Sequence, residues 1–143
     1  MNIDERAPLT ARQDIFIAAP LDKVWALQTN IEQWPAWQPD ISSVQLDGPV
    51  APGTIFRWKA KGLSITSTIH EVELGRRIGW TGRAFGMYAV HNWIFEQREN
   101  GTHVITEESL AGWVPRLLKL FDPTFLATSL ASSLAVLKKQ AEQ

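Results

Sequence analysis

Apolar and polar residues alternate with a period of two through most of the chain between residues 54 and 111. Such alternation predicts β-strands that bury one face. Asn100-Gly101, between two alternating stretches, is the strongest hairpin signal in the chain. The pattern predicts a first strand followed, after a helical region, by six more, over residues 11–18, 40–47, 54–61, 63–73, a stretch starting at 75, 87–98 and 102–111.

Two short helices are predicted between the first and second strands. Pro20 can open a helix, because a proline in the first turn loses no hydrogen bond, and Val24 and Trp25 follow at helical spacing. Asn30 is expected to cap a second helix. That helix should end before Pro35, since the residue preceding a proline avoids the α region.

The C-terminal part of the chain predicts one long amphipathic helix. Residues 115–121 look helical, and Asp122 with Pro123 is expected to cap and restart the helix. Four leucines then recur at one-turn spacing to about residue 140. The small residues beside them, including Ala131, allow close packing or leave room for a ligand. The leucines of this stripe are Leu126, Leu130, Leu134 and Leu137.

Composition excludes several classes of protein. The 143 residues fit a single domain, with a core expected over about residues 10–140. A net charge of −1 predicts no overall electrostatic attraction to nucleic acid or an anionic membrane. No membrane span or signal peptide is recognised, so we expect a cytoplasmic protein. Cysteine is absent, and no metal-ligand cluster or cofactor fingerprint occurs, so neither metal nor cofactor is expected.

Seven tryptophans are many for a chain of this length. Trp58, Trp80 and Trp93 each lie in a separate alternating stretch and share the apolar face. Large aromatic side chains projecting from separate strands suggest the walls of an apolar cavity as much as a solid core. Trp34 and Trp37 flank Pro35, and we expect them to plug the end of the sheet or a loop at a cavity mouth.

The order of these elements, together with particular residues, resembles the START-like (SRPBCC) superfamily, in its branch of polyketide cyclases, dehydratases and lipid-transport proteins. The resemblance covers residues 10 to 140 and implies an α+β helix-grip fold. In that fold, a curved antiparallel sheet of about seven strands surrounds a long C-terminal helix, two short helices follow the first strand, and a ligand cavity lies between sheet and helix. The matching residues are Ile17-x-Ala19-Pro20 with Val24-Trp25, Trp34-x-x-Trp37-x-Pro39-x-Ile41, Gly53-x-x-Phe56-x-Trp58, Ile69-x-Glu71-Val72, Arg77-Ile78-x-Trp80, His91-x-Trp93-x-Phe95, Gly101-Thr102-x-Val104, Glu107-Glu108 and Gly112.

His91 and Glu108 are the candidates for chemistry, because alternation places both on the face that carries Trp93. A carboxyl group in an apolar cavity has a raised pKa, and a neighbouring histidine can share its proton. Such a pair can act as acid and base, orient a ligand, or only satisfy its own hydrogen bonds. The candidate ligand-binding residues are Phe56, Trp58, Ser67, Ile69, Trp80, Ala89, Trp93, Thr106 and Leu130.

Three functions are compatible with these features. The first is binding of a small hydrophobic molecule, such as a lipid, polyketide or aromatic compound, between the sheet and the C-terminal helix. The second is a cofactor-free cyclase or dehydratase that uses His91 and Glu108. The third is a non-catalytic interaction module. The first is favoured because only two ionisable side chains are expected inside the cavity. Ligand identity and oligomeric state stay open.

Overall fold

The computed structural model covers residues 1–143, and seven antiparallel strands form one sheet in the order β1-β7-β6-β5-β4-β3-β2. The strands curve around the C-terminal helix, which confirms the predicted helix-grip fold. The bounds are β1 Leu9–Ile17, β2 Ile41–Leu46, β3 Ile55–Ala60, β4 Leu63–Glu73, β5 Arg77–Ala84, β6 Met87–Arg98 and β7 Gly101–Ala111.

Helices lie between β1 and β2 and after β7, in the two regions where the sequence predicted them. Between β1 and β2 lie α1, a 3₁₀ turn and the single-turn α2; after β7 come α3 and α4. The C-terminal end of α4 is held beside the end of β1, where Lys138 Nζ donates a hydrogen bond to the Phe16 carbonyl oxygen at 2.9 Å. The bounds are α1 Leu21–Thr29, the 3₁₀ turn Ile31–Gln33, α2 Trp34–Trp37, α3 Trp113–Phe121 and α4 Phe125–Ala141.

The predicted strand faces are confirmed. Phe56 is buried on the inner face of β3, whereas its neighbour Arg57 points outward and contacts Asp47. His91 on β6 lies directly opposite Glu108 on β7, so both occupy the same face. A slip of one residue would move every inner side chain to the solvent face, which is why alternation determines the register so firmly.

Several element ends differ from the prediction by one or two residues, and at three turns the predicted local structure also differs. The second short helix does not end before Pro35; Pro35 lies in the first turn of α2, where its missing N–H costs no hydrogen bond. Asp122 does not cap α4, which begins at Phe125 after Thr124. The hairpin turn is Glu99-Asn100, with Asn100 at φ 69°, and Gly101 already belongs to β7.

Two apolar clusters hold the sheet and α4 together. The larger contains Leu134 and Leu137 of α4 together with side chains of α1 and the inner strand faces. The smaller joins Leu126 and Leu130 to Leu110 of β7 and one residue of β1. The leucine stripe of α4 therefore contributes to both clusters, as its one-turn spacing predicted.

No single helix is long and apolar enough to cross a membrane. By length and composition alone α3 and α4 together would qualify, but their axes bend by 93° at the break between them.

We expect Phe56→Ala to lower the free energy of unfolding by about 3–5 kcal/mol, because it empties a fully buried site against Trp34 and Trp80. Urea denaturation followed by circular dichroism measures this. Phe85→Ala, at a side chain that is 74% exposed, is the matched control and should change stability by less than about 1 kcal/mol. Equal losses in the two variants would contradict the core described above.

Candidate ligand cavity

A cavity of about 480 Å³ lies between the inner face of the sheet and α4. Its volume falls within the range of about 300–1,000 Å³ that is typical of small-molecule sites. Its walls are mainly apolar, with polar groups from both sheet and helix. The lining residues are Gln28, Trp34, Gln38, Pro39, Asp40, Ile41, Trp58, Ala60, Lys61, Leu63, Ile65, Ser67, Trp80, Gly82, Ala84, Met87, Ala89, His91, Trp93, Glu108, Leu110, Phe125, Leu126, Ser129, Leu130, Ser132, Ser133 and Val136.

An aromatic cluster forms one wall of the cavity. The Trp34 ring lies 5.4 Å from the rings of both Trp58 and Trp80, in edge-to-face and tilted arrangements. Hydrogen bonds fix two of the indoles: Trp34 Nε1 donates to the Gln28 carbonyl oxygen at 3.1 Å, and Trp58 Nε1 donates to Ser67 Oγ at 3.0 Å. Trp80 is held by ring packing alone, and Trp34 and Trp58 by packing together with these hydrogen bonds, so the structure presents this wall as preformed.

Eight of the predicted site residues line the cavity. They are Trp58, Ser67, Trp80, Ala89, His91, Trp93, Glu108 and Leu130. Phe56, Ile69 and Thr106 lie on the inner face and are fully buried, but they do not border the cavity. Other side chains cover them: Trp34 packs over Phe56, and His91 bonds to Thr106. Alternation determines the face of a residue but not its depth.

Trp34 and the serines of α4 were missed as lining residues. Trp34, expected as a plug, is buried in the centre of the wall, whereas Trp37 is half-buried against the core and does not line the cavity. Ser129 and Ser133 border the cavity, which fits the prediction that small residues leave room there. Ala131 does not adjoin the cavity, because its side chain is exposed on the other flank of α4.

His91 and Glu108 face each other across β6 and β7. Nδ1 of His91 lies 3.6 Å from Oε2 of Glu108, slightly beyond a direct hydrogen bond. The Glu108 side chain is 16% exposed and lines the cavity. A small displacement, or a ligand atom between them, would connect the two groups.

Hydrogen bonds behind His91 favour one placement of the ring proton. Thr106 Oγ1 donates to the Asn92 carbonyl oxygen at 3.2 Å, which uses its only hydrogen. In that arrangement Nε2 of His91, 2.8 Å from the same oxygen, is the donor. Neutral His91 consequently presents an unprotonated Nδ1 toward Glu108 and the cavity.

Burial keeps both groups neutral near pH 7. It lowers the pKa of His91 to about 3 and raises the pKa of Glu108 to about 8, because each charged form would lose its hydration. Forming an ion pair between them would require both charges to be desolvated, which their attraction does not readily repay. At neutral pH the pair is therefore a carboxylic acid facing an imidazole lone pair.

The cavity opens where its lining residues are also exposed, at Pro39, Asp40, Lys61 and Ser132. This opening lies between the start of β2, the β3–β4 hairpin and α4. Lys61 Nζ and Asp40 Oδ2 are 3.8 Å apart there, both well exposed. Charged side chains thus stand at the rim, and the interior holds only the neutral pair.

No group of three His, Asp or Glu side chains is placed to hold a metal ion. The interior offers His91 and Glu108 alone, which is fewer ligands than a protein metal site usually supplies.

The fold and cavity, with the matching sequence profile, are those of a START-like (SRPBCC) protein, in which a sheet grips a helix over an internal cavity. The chain belongs to the polyketide cyclase/dehydrase and lipid transport family, whose sequence profile matches residues 8–142. None of the curated proteins compared with the chain matches it.

Solved structures of low sequence identity share this fold. A hypothetical protein of Helicobacter pylori, jhp0584, superposes with a TM-score of 0.86 at 17% identity, covering 97% of this chain and 91% of that one. A START superfamily protein of Mycobacterium smegmatis superposes with a TM-score of 0.78 at 12% identity, covering 94% of this chain and 97% of that one. The Zhui aromatase/cyclase of Streptomyces sp. R1128 gives 0.77 at 15% identity, with 93% of each chain covered.

The stability of the protein should fall as the pH rises from about 6.5 to about 8. Over that interval the folded chain keeps a proton on Glu108 that the unfolded chain has lost, so this carboxyl favours unfolding by up to about 1.4 kcal/mol per pH unit. Between about 4.5 and 6.5 the unfolded chain binds a proton on His91 that the folded chain does not, and this opposite contribution offsets that of Glu108. Glu108→Gln should remove the Glu108 contribution, because an amide does not ionise. Urea denaturation at a series of pH values measures it.

Glu99→Gln, at an exposed turn, is the matched control and should keep the wild-type pH profile. Titration of Glu108 by carboxyl ¹³C NMR gives the same information directly. A midpoint near 4.5 would show that burial does not keep this carboxyl protonated.

Proposed function

We propose that the protein binds a small hydrophobic molecule, such as a lipid, polyketide or aromatic compound, in the cavity between the sheet and α4. The observation that carries the proposal is a 480 Å³ space walled by mutually packed indoles, of which Trp34 and Trp58 are also held by hydrogen bonds. A preformed apolar site binds without a large ordering cost. Membership of a family of cyclases and lipid-transport proteins supports the same class of ligand.

The few polar groups of the cavity suggest what the ligand carries. Glu108 as a neutral acid can donate a hydrogen bond, and Nδ1 of His91 can accept one. The exposed Lys61 stands at the rim. These positions fit an apolar body with a carbonyl or hydroxyl inside, or an acidic group at the opening.

We expect cis-parinaric acid, a fluorescent polyene fatty acid, to bind the folded protein and quench its tryptophan emission, since several indoles line the cavity. Ser133→Trp should abolish this signal, because the new indole would project from α4 into the cavity. Energy transfer from tryptophan to the probe measures binding, and thermal unfolding shows that the variant folds.

Ala131→Trp is the matched control, since it adds the same bulk on the exposed flank of α4. It should leave the affinity within about twofold of wild type. Undiminished binding in a folded Ser133→Trp protein would place the probe elsewhere. Should that variant not fold, Ala89→Leu on the opposite wall provides a smaller obstruction with the same expected direction.

The second candidate function is a cofactor-free cyclase or dehydratase, and the facing pair His91 and Glu108 favours it. Enolisation, the step that such enzymes need, removes a proton from carbon and delivers one to the carbonyl oxygen. With the protonation states described above, Glu108 would donate to the oxygen and Nδ1 of His91 would take the carbon-bound proton. The proton then returns through the same pair when the product forms.

The low pKa of His91 argues for binding over catalysis. A group that is protonated only near pH 3 is a weak base, and efficient general bases have a pKa near the working pH. Glu108, whose pKa burial raises to about 8, is better suited to act as an acid near neutral pH. The cavity is therefore better suited to holding and polarising a carbonyl than to removing a proton.

The exchange of α-hydrogens for deuterium in an aromatic 1,3-diketone probe separates the two functions. If the pair catalyses enolisation, Glu108→Gln should reduce the protein-dependent exchange rate by about a hundredfold or more while affinity changes by a few fold. Mass spectrometry of the probe measures exchange. If the wild-type protein binds the probe but does not accelerate its exchange, the enzyme hypothesis is rejected and the binding hypothesis remains.

A further inference from the structure

An exposed apolar patch lies on α3 and the β5–β6 hairpin. It consists of Phe85, Trp113, Leu117, Leu120 and Phe121, of which Leu120 and Phe121 are 77% and 83% exposed. Single exposed apolar residues are ordinary, but a contiguous group of this size marks an interaction surface. Nothing in the chain covers it.

The patch is held in place by the opposite face of α3. Val114, Pro115 and Leu118 turn toward the protein, and the Val114 N–H donates to the Gly86 carbonyl oxygen at 3.2 Å. Gly112, at φ 115°, makes this approach possible, because a Cβ there would lie 2.3 Å from the same oxygen. The Phe85 and Trp113 rings also contact edge to face at 5.3 Å. The patch is thus built into the fold.

The charges beside the patch are all positive within α3. At 100° per residue Arg116 and Lys119 lie on one side of the apolar stripe, and the helix contains no acidic residue. Asp122 follows directly after the helix. The net charge of −1 therefore conceals a local basic edge.

The patch lies at the same end of the sheet as the cavity opening. In this antiparallel sheet the β3–β4 and β5–β6 turns meet at one end, and β7 finishes there. Ala84 and Met87, on either side of the patch hairpin, line the cavity, as does Phe125 just beyond α3. A surface that covered the patch would therefore lie close to the opening.

We propose that this patch docks the protein on a lipid bilayer containing anionic phospholipids, with α3 lying in the interface plane. A short helix with aromatic and leucine side chains on one stripe and Lys and Arg beside it has the composition of an interfacial helix. The apolar side chains would enter the acyl boundary while Arg116 and Lys119 contact headgroup phosphates.

A second copy of the chain fits the patch less well. In a symmetric dimer each α3 would bring two cations and no acid to the interface, without the compensation that anionic headgroups provide. The docking surface does not depend on what the cavity holds. If the proposed function is correct, docking places the cavity opening near the source of an apolar ligand.

Co-sedimentation with vesicles tests the proposal. The protein should bind vesicles of phosphatidylcholine mixed with phosphatidylglycerol, and bind phosphatidylcholine alone more weakly. Arg116→Gln with Lys119→Gln should weaken binding to the anionic vesicles by about 25-fold, since each basic residue at such a surface contributes a factor of about five. Leu120→Gln with Phe121→Gln should weaken it by at least about tenfold, because apolar burial is lost.

Leu74→Gln is the matched control, because Leu74 is 85% exposed but lies at the β4–β5 turn, at the other end of the sheet. It should bind as wild type does. No binding of wild type to anionic vesicles, or an equal loss with Leu74→Gln, would overturn the proposal. The proposal would also be overturned if light scattering showed that the patch substitutions dissociate a dimer while vesicle binding stays unchanged.

Binding of cis-parinaric acid in the absence of vesicles keeps the two proposals separate. The patch variants should retain wild-type affinity for the probe, since none of the substituted residues lines the cavity. A protein that binds vesicles but no probe would reject the ligand proposal alone, and the opposite result would reject docking alone.

Discussion

The contact between α4 and the inner face of the sheet is the constraint on which the rest of the structure depends. One helix is too narrow to cover seven strands, so the remaining inner face must be filled by other side chains or left as a cavity. The leucine stripe closes one side, with Leu134 and Leu137 in the larger cluster and Leu126 and Leu130 in the smaller. Beside it, Ser129 and Ser133 are too small to reach the sheet, and the space left there is the cavity.

The aromatic wall around Trp34 explains why the cavity remains open. An apolar space of this size would lose dispersion contacts on every wall, and a flexible structure would collapse into it. The indole of Trp34 resists collapse because it is wedged between Phe56, Trp58 and Trp80 and hydrogen-bonded to the Gln28 carbonyl. The wall is therefore packed like a core on the side that faces the sheet, although its other side faces the cavity.

Most of the fold could be predicted from the sequence because strand alternation is a global constraint. A one-residue slip in β3 would expose Phe56 and bury Arg57, so only one register is tolerable. The turns were less predictable, because their preferences are local and weak. Pro35 disfavours a helical residue before it, yet Trp34 is helical at φ −51°, since its buried packing outweighs that preference.

Strand alternation also explains why the lining of the cavity could be predicted only in part. Alternation assigned Trp58, Trp93 and Glu108 to the inner face, but depth along a strand depends on what covers it, which only tertiary packing decides. The C-terminal helix shows most clearly what the sequence pattern leaves undetermined. Ser133 and Ala131 lie on opposite flanks of the stripe centred on Leu130, so helical spacing separates them. Nothing local indicates which flank faces the cavity.

The neutral state of His91 and Glu108 connects the stability of the fold with its capacity to bind. The chain retains a proton on Glu108 because the carboxylate would have to leave water for an apolar wall. An apolar ligand would exclude the water that still reaches this side chain and would disfavour the carboxylate further. Protonation and binding of an apolar ligand are therefore linked in the same direction, and each favours the other. The proton on Glu108 consequently keeps the interior of the cavity uncharged, as the proposed binding of an apolar molecule requires.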